Sequence, residues 1–309
     1  VMQHLFAGLP VRSIAAAPFV PLSLFDGDTA DTLLGAPVFY APCVAGYVGG
    51  DVTAGLLASG LCRKPGQHLF LDLGTNGEMA LGGAEGFSCC AVASGPAFEG
   101  AGIACGMPAL DGAVSRVRYD RGFLYDVIGA SEPRGICGSG LIDLAAVLLA
   151  LGAIDKSGRL LPPEETPPPL RRFVRPDGRG NGVFHLTDRV YLTAEDVRSL
   201  QLAKAAVAGG IEVLLRQRDL DAAALDGVYI AGGFGSYIDP DSAMAIGMLP
   251  QLPRSKLRCL GNTALAGASM AALSGEDRRR LGRIAADCRY IELSGRQDFA
   301  RAFTDHMVF

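Results

Sequence analysis

Asp72, the run Gly74-Thr75-Asn76-Gly77 and Glu78 are the residues whose types and spacing most readily do chemistry in this chain. They lie within Leu69–Gly83, read LFLDLGTNGEMALGG, where an apolar run ends at Leu73 and resumes at Met79. Two short strands joined through Asn-Gly are a hairpin signal, because both residues tolerate the positive φ of a tight turn. The spacing predicts Asp72 at the end of the first strand, its carboxylate at the mouth of the turn. Gly74, Thr75, Asn76 and Gly77 offer backbone N–H groups and a hydroxyl, the equipment of an anion-binding nest. A carboxylate beside a nest suggests a phosphate with a cation between them. On this stretch alone, an ordinary hairpin with a solvated Asp72 is the alternative.

Such a turn needs a sheet and helices to hold it. Residues 1–9 read as a helix remnant, followed by a Pro-punctuated stretch to Pro21, a loop near Phe25–Thr32 and a strand at Val38–Tyr40. A small-residue helix over Val52–Ser59 ends at Gly60, whose lack of Cβ suits a helix C-cap. A helix of small residues lets another backbone approach closely, or packs tightly in a core. After the hairpin, a third strand is expected at Phe87–Ala93. Ser94-Gly95-Pro96-Ala97-Phe98-Glu99 then turns into a short helix with Ser94 as N-cap and Pro96 in its first turn. Strand-like runs at Ala113–Tyr119 and Phe123–Ile128 lead to Gly135-Ile136-Cys137-Gly138-Ser139-Gly140, which opens an apolar helix from Leu141. Those glycines are not a dinucleotide fingerprint, since their order is wrong and no strand is expected just before them. They read as a helix N-terminus packed close to a ligand or strand.

The Pro-, Arg- and Gly-rich stretch 156–188 reads as a surface insertion with solvated charges. Thr193 to Asp196 resembles a capping box, and Val197, Leu200, Val207, Ile211 and Leu214 recur at helical spacing. Gly227–Ala231 is a buried strand running into Gly232-Gly233-Phe234-Gly235-Ser236. A short helix at Pro240–Ile246 and a strand at Leu257–Leu260 follow, and Asn262 caps a second small-residue helix over Ala264–Leu273. A basic helix, a strand at Tyr290–Leu293 and a closing helix complete the chain.

Composition narrows the class. About half of the 309 residues are apolar and 19% are charged, which suits a globular protein with a large core. A net charge of −4 argues against nucleic acid or an anionic membrane surface as partner. No apolar run reaches the roughly 18 residues of a membrane span, and no basic leader precedes an apolar stretch. The eight cysteines contain no Cys-x-x-Cys pair, so spacing encodes neither a zinc site nor an iron–sulfur cluster. Their apolar surroundings suit buried thiols in a reducing cytoplasm. His4, His68, His185 and His306 are scattered and read as structural or surface residues.

Four motifs in order carry a resemblance: Asp51–Gly60, Asp72–Glu78, Ala231–Gly235 and Asn262–Ala272. The chain resembles the actin-like ATPases, an α/β class with a ribonuclease H-like fold that includes sugar kinases, Hsp70 chaperones and actin. The strings LDLGTNGEMALG, ASGPAFEGA, GICGSGLIDL, AGGFGSYIDP and GNTALAGA look like the C-terminal ATPase domain of the reductive activators of corrinoid proteins. That resemblance covers nearly the whole chain. It implies a first subdomain remainder with an interdomain helix over 1–62, a second subdomain over 63–260, and a second interdomain helix with the C-terminal segment over 261–309. One actin-like half is then complete and the other partial. An opening at Val1 that reads as mid-helix fits a piece of a longer protein. The family's N-terminal [2Fe–2S] domain and its first phosphate loop have no counterpart in these residues.

The resemblance implies ATP held with Mg²⁺ between two halves, and electron delivery that returns Co(II) corrinoid to Co(I) on a methyltransferase-associated partner protein. By it, Asp72 takes the metal-water role, and Gly74, Thr75, Asn76 and Gly77 hold phosphate oxygens. Glu78 orients water or supports the loop. Gly232 and Gly233 let adenosine approach the backbone, with Phe234, Gly235 and Asn262 beside it. Ser94, Gly95 and Glu99 touch the nucleotide or the corrinoid protein. A homodimer is a further partner the sequence allows. Two rival readings stay open: a small-molecule kinase of the same fold, and a docking module that grips the corrinoid protein without ATP turnover.

Overall fold

The structure is a computed structural model that describes residues 40–235 and 237–309, together with two-residue strands β1 (Thr32–Leu33) and β2 (Ala36–Pro37), which pair antiparallel. The expectations for 1–9, the stretch to Pro21, the loop near 25–32 and the strand near 38–40 fall on or run into residues outside that set, as does Ser236.

Helix α1 (Gly50–Ser59) ends on Gly60 in the left-handed conformation, as its sequence predicts. The strands β3 (His68–Leu73), β4 (Gly77–Gly83) and β5 (Gly86–Val92) form an antiparallel meander. A smaller sheet follows, built from β6 (Ala113–Tyr119), β7 (Phe123–Val127) and the short β8 (Gly135–Ile136). β8 is a strand directly before the Gly-Ser-Gly helix, where none was expected. Two residues paired to β6 carry no periodicity that a sequence could show. Helix α2 (Gly138–Ala150) starts three residues earlier than predicted, and a Cβ on Gly140 would overlap Val114 O of β6. The close approach is therefore to a strand.

The stretch expected as a surface insertion is partly core. β9 (Val174–Pro176), β10 (Gly182–His185) and β11 (Tyr191–Leu192) make a three-stranded sheet. Leu160, Leu170, Val174 and Phe184 are buried in the main core, and Phe184 packs on Phe123 and Phe173. Its charges are at the surface, as in the Arg159–Glu165 pair, together with Pro168, Pro169 and Gly178; Pro and Arg dominate the composition while a few apolar residues decide the packing. Helix α3 (Ala194–Gln217) opens with a complete capping box between Thr193 and Asp196, and all five predicted apolar positions are buried.

β12 (Gly227–Ala231) leads into the short α4 (Gly232–Gly235) and α5 (Pro240–Ala245), and β13 (Leu257–Gly261) into α6 (Thr263–Leu273) and α7 (Gly275–Ala286). β14 (Cys288–Tyr290) and α8 (Gln297–Asp305) complete the chain. The main sheet runs β13-β12-β3-β4-β5-β14, with β12 parallel to both β3 and β13, and β14 parallel to β5. The segment after residue 261 thus returns to the same sheet at its far edge.

Both faces of this sheet are covered, which is why β3 and β12 read as nearly unbroken apolar runs. Leu69, Leu71 and Leu73 face a core shared with α2 and α3, while Phe70 faces a second core with α1 and α7. α1 and α6 cross on that second side through small residues: a Cβ on Gly267 would overlap Ala54 O, and one on Gly55 would overlap Phe70. Not every cysteine is buried. Cys43 and Cys259 are exposed, in contrast to the sequence expectation, and all eight are free thiols.

Candidate nucleotide site

β3, β12 and β13 are mutually parallel, so their C-terminal ends open side by side, the usual place for a ligand on an α/β sheet. Asp72 pairs across β3–β4 with Glu78 and across β3–β12 with Ala231. Side chains alternate along a strand, so Asp72 and Glu78 share the face of Phe70 and Ala80, toward α1. Asp51 stands in the first turn of α1, where its Oδ1 accepts from the amide of Val52 at 2.8 Å. Three carboxylates therefore gather around one turn. Burial, then the charge of Asp51, pushes Asp72 up to about 6. Burial, followed by Asp51 and Asp72, pushes Glu78 up to about 7.

The turn itself is a three-residue loop closed by the Leu73–Gly77 pair. None of its residues takes a positive φ, so the hairpin forms without the feature that singled out Asn-Gly. The Gly74 amide donates to Asn76 O at 3.0 Å and is already engaged. Among the described residues, the Thr75 and Asn76 amides have no such partner, which narrows the expected nest to those two donors. Gly77 is buried against Val92 and Leu73 and serves packing. Ser94 is not the N-cap of its helical turn: Gly95 occupies that place, and the Ser94 hydroxyl donates to Gly74 O and Thr75 O at 3.3 and 3.2 Å. Thr75 Oγ1 donates to Glu99 Oε1 at 2.5 Å. The 94–99 segment thus clasps the turn from outside.

The second glycine turn meets the first. Gly232 has φ +90°, and a Cβ there would sit 2.6 Å from both Asp72 Oδ1 and Leu73 O. Gly95 and Gly233 face open space, whereas Gly235 is packed on Ile230. The Phe234 side chain lies outside the described residues. Asn262 is engaged as the N-cap of α6, its Oδ1 accepting from Leu265 N at 2.9 Å. The structure so brings together Asp72, Thr75, Asn76, Glu78, Ser94, Glu99 and Gly232. Gly77, Gly235 and Asn262 lie outside this cluster, in the packing and capping contacts just described. Asp51 joins this cluster although the sequence does not single it out as a candidate; an acid directly after Gly49-Gly50, opening a small-residue helix, is the signal available there.

A phosphate-bound cation fits this arrangement. Three mutually repelling carboxylates are relieved by positive charge, and oxygen donors suit Mg²⁺. Among the described residues no group of three or more side chains is placed to hold a metal ion alone, so Mg²⁺ here would keep waters and share phosphate oxygens.

Two family models divide the chain between them: the C-terminal ASKHA domain of RACo matches residues 66–309, and the RACo middle region matches residues 1–64. The chain belongs to the RACo family of reductive activators. A corrinoid activation enzyme, RamQ of Eubacterium limosum, is 34% identical over 324 residues, covering 100% of this chain and 54% of that protein. The [Co(II) methylated amine-specific corrinoid protein] reductase of Methanosarcina barkeri is 27% identical over 74% of this chain and 43% of its own length. A solved reductive activator for a corrinoid, iron–sulfur protein superposes with a TM-score of 0.81 at 38% identity, over 89% of this chain and 45% of that one. This RACo-family chain spans about half the length of the relatives it matches. Its fold is the actin-like ASKHA fold, and membership implies nucleotide binding. No helix among the described residues is long and apolar enough to cross a membrane.

Proposed function

We propose that this chain is the ATPase part of an ATP-dependent reductive activator that acts in the cytoplasm on a corrinoid protein of a methyltransferase system. One electron converts Co(II) to Co(I), and it comes from a [2Fe–2S] domain outside these residues. The observation that carries the reading is the convergence of Asp51, Asp72 and Glu78 on a turn with unengaged amides, in a chain of the RACo family. The names of RamQ, the Methanosarcina reductase and the solved activator support the corrinoid partner.

In this reading the Thr75 and Asn76 amides hold phosphate oxygens, while the Thr75 hydroxyl, donating to Glu99, and Ser94 fix the turn. Asp72 and Asp51 orient the waters of Mg²⁺, which when bound would neutralise phosphate charge. Glu78, poised near neutrality, accepts a proton from the attacking water. Phosphoryl transfer asks mainly for positioning and charge stabilisation, and a rigid sheet edge supplies both. Gly232 lets the two turns close on each other, and Gly233 and Gly95, which face open space, leave room for the nucleotide beside them.

The test is calorimetry with MgATP on the whole protein, followed by Co(II)-to-Co(I) conversion of a corrinoid protein with reductant. Asp72→Ala should abolish the binding heat and the ATP-dependent part of the reduction. ATP binding left intact by Asp72→Ala would overturn the site, and ATP-independent reduction would overturn the role.

A further inference from the structure

We propose a second, anion-binding site at the end of the main sheet opposite the Gly74–Asn76 turn, made for a small organic phosphate with a short apolar body. A cavity of about 220 Å³ lies beside the Gly83–Gly86 turn that joins β4 to β5. The seven-residue β4 separates the two turns, a span of about 20 Å at strand rise. Three arginines line the cavity from two elements. Arg63 ends the helical turn Leu61–Arg63 after α1, and Arg280 and Arg283 lie one turn apart on α7.

These arginines are not equivalent. Arg280 is half-buried and held in place by Glu276 at 2.7 Å and Asp277 at 2.9 Å. Arg63 and Arg283 have no ion-pair partner among the described residues, although Asp287 lines the same cavity. With Arg280 already met by Glu276 and Asp277, the two unpaired cations Arg63 and Arg283 face the single carboxylate of Asp287, a local positive excess in a chain whose overall charge is −4. The fields of Arg63 and Arg280 both reach the half-buried Cys62 thiol in the wall, where they oppose the effect of its burial. Guanidinium forks match phosphate oxygens bidentately. The floor is apolar, from the buried Phe87 and Ile284. A bare phosphate would leave that floor uncovered, so an ester with a small ring or alkyl group fits better. Past Asp287 the cavity adjoins a groove of about 480 Å³ that also holds Arg289. α1 links the two sites: Asp51 is at its first turn, and Arg63 follows its last.

The test uses phenyl phosphate as probe, with inorganic phosphate and potassium chloride at matched ionic strength as comparators. Binding is read by calorimetry, and its location by the rate at which Cys62 is alkylated. Cys43 and Cys259, exposed elsewhere, serve as internal references. Phenyl phosphate should bind more tightly than inorganic phosphate and slow Cys62 alkylation selectively. Arg63→Ser and Arg283→Ser, both at exposed positions, should each weaken it by at least about fivefold, the scale of a lost charge-assisted contact, without changing the thermal midpoint. Equal protection by chloride, equal slowing at all three cysteines, or unchanged affinity in both variants would overturn the proposal.

Discussion

Asp72 and Glu78 illustrate how a site residue acquires its properties from neighbours distant in sequence. Each carboxyl titrates upward because it is half-buried and faces Asp51 from another element. A folded-state value raised above the unfolded one means the native protein binds the proton more tightly. These groups therefore add stability at low pH, and lose it as pH rises through about 6 for Asp72 and about 7 for Glu78. Without Mg²⁺ and nucleotide, the thermal midpoint should fall between pH 5 and pH 8. Asp143, raised to about 6 mainly by burial, acts in the same sense, so a variant is needed to isolate the site. Glu78→Gln should remove part of the fall, on the order of 1–2 kcal/mol after allowing for partial solvent contact. A fall of unchanged size in Glu78→Gln would mean that its carboxyl is not repelled as described. Asp72 was legible in the sequence because an apolar run stops beside it. Asp51 was not, since its meeting with Asp72 depends on where α1 lies over the sheet.

At the level of elements, the helices and long strands followed from pattern, because α3 and β3–β5 carry their own periodicity and punctuation. β14 did not: its apolar neighbours Ile291 and Leu293 drew the predicted strand to Tyr290–Leu293, while the ladder to β5 is made by Cys288–Tyr290. The crossing of α1 and α6 was legible only as an abundance of small residues. Its geometry is decided by Gly267, where a Cβ would overlap the Ala54 carbonyl oxygen, a backbone atom with little freedom to move. Gly267→Ala should therefore destabilise by about 2–3 kcal/mol, in the range of overpacked cores. Gly282, on α7 with no atom within 4 Å of a would-be Cβ, gives the contrast: Gly282→Ala should be neutral or stabilise by up to about 1 kcal/mol. Denaturant unfolding of both variants measures this. Similar losses at the two positions would show a general intolerance of helix changes and remove the case for close backbone contact.

For the whole molecule, two cores on either side of one sheet define the body, and the last residues tie its surface together. That closure was invisible in the sequence, where Lys204 reads as one more polar position on α3. In the structure Lys204 is 1% exposed, its ammonium donates to Val308 O, and it lies 5.3 Å from the centre of the Phe309 ring. Gln201 donates to Met307 O and to Ser157 O, both at 2.8 Å, while the Phe309 amide donates to Lys156 O at 2.9 Å. Burial lowers Lys204 to about 8. Removing residues 307–309 would leave this cation buried without its carbonyl, at a cost of roughly 2–4 kcal/mol. The cost should be largest at pH 7, where Lys204 is charged, and smaller at pH 9, where the folded protein holds it neutral. Lys204→Met in the shortened chain should recover part of the loss at pH 7 and little at pH 9. Chemical denaturation of the full chain, the shortened chain and its Lys204→Met variant at both pH values checks this, and a truncation cost independent of pH would assign the tail's contribution to the Phe309 ring and the Gln201 bonds instead.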